Sequence, residues 1–134
     1  MTRNFRLQEV NGARAMDELT RETAVELIEK ELSQAAQASG EGNAGMVRVC
    51  ARRASGIAIR FWLQQHPRKF WGIDAMNQLR NVHLDQSVPL GVRSAARRLT
   101  ARITPEFESP YKTDPVEDSR MIIDHFLGAN EQQR

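Results

Sequence analysis

The sequence predicts an all-α fold, a five-helix antiparallel bundle, on three observations. Apolar residues recur at three- and four-residue spacing in five separate stretches. No stretch alternates apolar and polar residues for long, and no β-branched cluster is bounded by turns. The breaks between stretches are mostly short and carry Gly, Pro or Asn, which joins neighbouring helices antiparallel. With 134 residues the expectation is one domain over 15–130, preceded by a flexible arm over 1–14 of little periodicity.

The first helix is predicted over about 15–38. Met16, Leu19, Leu27, Ile28, Leu32 and Ala35 form its stripe, and Asp17 with Arg21 and Glu26 with Lys30 stand four apart. Ser39 and Gly40 stop it. The second, over about 43–66, is capped by Asn43 and ended by Pro67. Val47, Cys50, Ala51, Ala54, Ile57, Ala58, Phe61 and Trp62 cover one broad face, while Val49, Ile59 and Leu63 sit among its arginines. A helix apolar nearly all round belongs at the centre. Ala51, Ala54, Ser55 and Ala58 are small enough to let a neighbour approach closely. More apolar surface than short helices bury easily also suggests a homodimer.

A third helix over about 72–84 carries Ile73, Met76, Leu79 and Val82. The fourth, over about 90–103, has Val92, Ala95, Ala96, Leu99 and Ile103 in a narrow stripe. Pro105 and Pro110 punctuate a loop at 104–114. Asp114 as cap, Pro115 at the first position and Glu117 in the first turn mark the start of the last helix, and Gly128 is its expected end.

A formal charge of +2 is too small to demand a polyanion, but its distribution is uneven. Acids crowd the first third, whereas arginine dominates 48–102, and Lys30, Lys69 and Lys112 are the lysines. Arginine suits planar recognition of phosphate or carboxylate. Cys50, the single cysteine, rules out an intrachain disulfide and fits a reducing cytoplasm. The opening MTRNFRLQEV lacks a signal-type apolar core, and no apolar run reaches membrane-spanning length.

Arg48, Arg52, Arg53 and Arg60 stripe the far side of the central helix and are candidate anion or nucleotide ligands, with Arg80 and His83 as a further pair. The alternative is that this stripe pairs with the acidic first helix or with a second subunit. Gly40-Glu41-Gly42-Asn43-Ala44-Gly45 matches GxGxxG, but helix rather than strand precedes it, so a dinucleotide site is not expected. His66, His83 and His125 lie on three elements without partners at ligand spacing, so neither metal nor other cofactor is expected. His66-Pro67-Arg68-Lys69-Phe70-Trp71 interleaves bases with aromatics; it either stacks on nucleic acid bases or anchors a loop through Phe70 and Trp71.

From about residue 44 onward the chain resembles the HEPN family of small helical bundles. VCARRASGIAIRFWL is similar to the family's long helix, VRSAARRL to its next amphipathic helix, and TPEFESPYKTDPVEDSRMIIDHFL to its loop and capped final helix. The resemblance implies nucleotide or RNA association, or pairing with a nucleotidyltransferase partner. Many members are metal-independent ribonucleases, some of them toxins of toxin–antitoxin pairs, that use Arg and His four to six residues apart with a polar residue after the Arg. Arg60 with His66 and Arg120 with His125 have that spacing, but Phe61 and Met121 stand where the polar follower belongs. The expectation is therefore a non-catalytic nucleotide-, RNA- or protein-binding module. A ribonuclease on these pairs and a purely structural domain are the alternatives.

Overall fold

The computed structural model describes residues 18–101 and 113–132, with side chains described through residue 128. Over these residues the chain is all-helical: α1 (Arg21–Gly40), α2 (Ala44–Leu63), α3 (Ala75–Leu84), α4 (Leu90–Thr100) and α5 (Pro115–Gln132). Among the described residues no helix is long and apolar enough to cross a membrane.

Helix α2 lies at the centre. It packs against α1 on one side, α5 on another and α3 towards its end, while α4 lies mainly on α3 and α5. The core runs through Ala51, Ala54, Ala58 and Ile59 of α2, Leu79 and Val82 of α3, Leu99 of α4, and Ile122 and Phe126 of α5. Small residues set the spacing, as their sequence positions suggest. Ser55 Oγ and Ser119 Oγ stand 2.9 Å apart and each lies 3.0 Å from Ala51 O, so their two hydroxyl protons serve a triangle of contacts that forms a buried polar seam between α2 and α5. At Gly56 the approach of α3 is closer still, since a Cβ there would meet Ala75 Cβ at 2.9 Å. The surplus apolar surface expected of α2 is not present. Its neighbours cover it, and Met46 is its exposed large hydrophobic side chain.

Local chemistry shortens the helices relative to their periodicity. Thr20 is extended and its Oγ1 accepts from Thr23 N at 3.0 Å, so α1 begins after it rather than near 15. Met16 and Asp17 lie outside the described residues. Gly42, at φ 74°, closes the turn into α2, where Asn43 Oδ1 caps Met46 N at 3.0 Å. Thus the formal GxGxxG stretch is a helix stop and a helix start. Helix α2 ends at Leu63, before Pro67. Gln64 turns back to grip Leu19, its Nε2 donating to Leu19 O and its Oε1 accepting from Leu19 N. Helix α3 starts late because Gly72 takes φ 75° and Asp74 supplies the cap, accepting from Asn77 N at 2.9 Å. Asp114 caps α5 as expected, accepting from Val116 N at 2.9 Å. Gly128 does not end that helix, which continues to Gln132. A glycine stops a helix when it turns left-handed, and Gly128 does not.

Candidate anion and interaction face

The arginine stripe of α2 divides into two halves with different surroundings. Arg48 is only 4% exposed. Its Nη2 donates to Arg98 O at 2.5 Å and Ala101 O at 3.0 Å. Arg52 donates from Nε to Leu99 O at 2.7 Å and from Nη2 to Ala101 O at 3.2 Å. These carbonyls belong to the end of α4, where the helix presents partial negative charge and acceptors lack the usual i+4 donors, Arg98 O having only a tighter bond from Ala101 N. The two guanidiniums therefore cap α4 from outside, and α4 stops at Thr100 instead of running to 103. Burial pulls Arg48 below its ordinary pKa; nearby Arg52 adds to this and Asp118 opposes it. Burial lowers Arg52 likewise.

Asp118, on α5, supplies the carboxylate of this cluster. Arg98 grips it in a bidentate way, Nε at 3.1 and 3.2 Å and Nη2 at 2.8 Å, and Thr113 Oγ1 donates to it at 3.1 Å. The cluster thus ties α2, α4 and α5 together.

The other half faces a cleft of about 240 Å³ between α1, α2 and α3, lined by Glu31, Arg53, Gly56, Ile57, Arg60, Ile73, Ala75 and Gln78. Here the polar groups are poorly matched. Arg53, 55% exposed, approaches Glu31 no closer than 3.8 Å. Glu31 Oε1 and Arg60 Nε are both buried, and neither makes a hydrogen bond among the described residues. Cys50 lies buried behind this region, its thiol pushed up in pKa first by burial and then by Glu31, so it is not a poised nucleophile.

Arg80 and His83 do not line this cleft. Arg80 Nη1 donates to Asn77 Oδ1 at 3.2 Å, and the His83 carbonyl accepts from Arg93 Nε at 3.3 Å. Asp74 bonds to Asn77, and Asp85 bonds to Ser87 and lies 3.9 Å from Arg68 Nε.

The two Arg/His pairs also separate. His66 stacks on Trp62 with ring centroids 4.6 Å apart, away from the histidine-free lining that contains Arg60. Arg120 lines a groove between α1 and α5 with Arg21, Glu29 and Asp124. His125 instead packs edge-on against Phe126 at 4.8 Å, where burial lowers its pKa. Trp62 meets Phe126 at 5.1 Å, so both histidines lean on one aromatic cluster while their arginines point elsewhere. Among the described residues, no three His, Cys, Asp or Glu side chains converge as a metal site would need.

The α2–α3 loop carries a feature that periodicity misplaced. Trp71 anchors it, 6% exposed and 5.7 Å from Trp62, with Arg68 lying 5.0 Å over the Trp62 ring. Phe70, expected to anchor with it, is 81% exposed. Ile73, assigned to the inner stripe of the third helix, is 94% exposed at the rim of the cleft. Gly72 followed by Asp74 is the local signal that puts Ile73 ahead of the helix.

No family model, curated protein or solved structure matches the chain.

Proposed function

We propose that the chain is a non-catalytic protein-interaction module whose contact face is the α2–α3 loop and the adjoining Arg53–Arg60 cleft. The carrying observation is that Phe70 and Ile73 stand in solvent on a loop pinned by buried Trp71. Apolar side chains held out on a fixed support, rimmed by arginines, have the composition of an interface centre. The test compares protein captured by the chain with that captured by a Phe70→Ser, Ile73→Ser double variant. Equal melting curves with selective loss of captured protein support the reading; identical capture overturns it.

A second reading is nucleotide or RNA binding, favoured by Phe70 with Lys69 Nζ 5.7 Å from its ring, beside two guanidiniums. Fluorescence titration with mononucleotides and short RNA tests it, since phosphate contacts must weaken as salt rises. Membership of the HEPN-like family, with a nucleotidyltransferase as partner, belongs to this second reading. The ribonuclease alternative loses support because neither Arg/His pair shares a site. Growth arrest relieved by His66→Ala or His125→Ala would restore it. Arg48 and Arg52 fit the structural alternative, as caps of α4. A homodimer would have to use surface other than α2, and sedimentation at micromolar concentration checks it. The cytoplasm is the compartment that suits the single buried thiol.

A further inference from the structure

Resting on that interaction reading, we infer that the partner presents a short segment with an acidic side chain next to apolar ones. Its carboxylate seats between Arg53 and Arg60, and Glu31 is the internal competitor that it displaces. Three features of the cleft lead to this. Arg60 Nε is a buried donor with no acceptor among the described residues, although a guanidinium is an expensive group to leave partly unpaired. Arg53 has only a long contact to Glu31, at 3.8 Å, beyond hydrogen-bond length. Glu31 reaches the cleft without a hydrogen bond to either arginine among the described residues, its carboxylate being met instead by the Cys50 thiol.

A carboxylate entering from outside can meet both guanidiniums, with the planar geometry that arginine favours. The apolar part of the segment follows from the rim. Ile73 is both the most exposed large hydrophobic residue described and a wall of the cleft, with Phe70 three residues before it. A carboxylate in the cleft is thereby within a few residues of apolar contact. The charge balance favours an acidic segment too. Arg53 and Arg60 outnumber Glu31 among the side chains that line the cleft, and Asp74 is occupied as the cap of α3. A nucleic acid would account for Phe70 and the cations but not for Ile73, which has no π-face.

The test pans random dodecapeptides displayed on phage against the intact chain. Labelled copies of the enriched peptides are then titrated by fluorescence anisotropy. The expected peptides carry Asp or Glu within three or four residues of Leu, Ile or Phe. Arg60→Gln should weaken them about five- to tenfold, and Arg53→Gln by less, since exposed pairs contribute less than part-buried ones. Glu31→Gln should tighten them about threefold, the size of a weak competing ion pair. The opposite signs separate this arrangement from a merely structural role, and melting curves identify any variant that fails to fold, Arg60→Lys then replacing Arg60→Gln. Enriched peptides without acids that still depend on Phe70 and Ile73 overturn this inference and leave the interaction reading standing. No enrichment, or displacement of every peptide by single-stranded RNA, overturns both.

Discussion

Arg48 and Arg52 share a helix and a stripe with Arg53 and Arg60, yet the two halves have opposite fates. The first two are consumed by carbonyls at the end of α4, in a cluster whose carboxylate, Asp118, is gripped by Arg98. Among the described residues, Arg48 Nε is unbonded like Arg60 Nε, but Arg48 still donates twice from Nη2, whereas the other two face a cleft in which the one ion pair is long. Helical spacing brings a side chain to a face. What waits on that face decides whether the side chain holds the protein together or is left to hold something else.

The sharpest way to break this comparison is Arg48→Ala. It removes the donor that Arg98 O and Ala101 O share and leaves a void at a buried helix end, with only Ala101 N and Arg52 Nη2 still on those carbonyls. Urea unfolding should therefore show a loss of about 3 kcal/mol. Asp118→Asn removes the carboxylate from the Arg98 grip without changing shape and should cost about 2 kcal/mol, measured the same way. Arg53→Gln should change stability by no more than about 0.5 kcal/mol, as exposed substitutions do. If Arg53→Gln were as damaging as Arg48→Ala, the division of the stripe would be wrong.

The smallest expected effect is a pH slope from His125. Burial lowers its folded pKa below its unfolded value of about 6.5, so the native state binds fewer protons there. Its contribution is intact above that unfolded value and declines as pH falls from it towards the folded one. Unfolding midpoints between pH 7.5 and pH 5.5, compared with those of His125→Gln, measure it; a slope equal in both chains removes the assignment.

The helices were legible because their apolar residues repeat at helical spacing over ten or more positions, and Asp114 with Pro115 announces the start of α5. The identity of the arginine stripe was legible as well. Its partition was not, because the carbonyls that take up Arg48 and Arg52 lie about fifty residues away in the chain. Nor does spacing along the chain give direction, which is why Arg60 and His66 look like a pair in sequence and face different surroundings in space. Ile73 was misplaced for a local reason. Its apolar character fits the helical stripe, but the left-handed Gly72 and the cap at Asp74 take precedence over periodicity.

The contact at Gly56 has a mechanical meaning for the cleft it borders. With no room for a Cβ against Ala75, the backbone of α2 bears directly on the Ala75 methyl group at the start of α3. That point acts as a spacer: it sets how near the start of α3 stands to α2, and with it the wall that Gly56 and Ala75 give to the cleft. A single methyl group at position 56 would act as a wedge there and push the two helices apart.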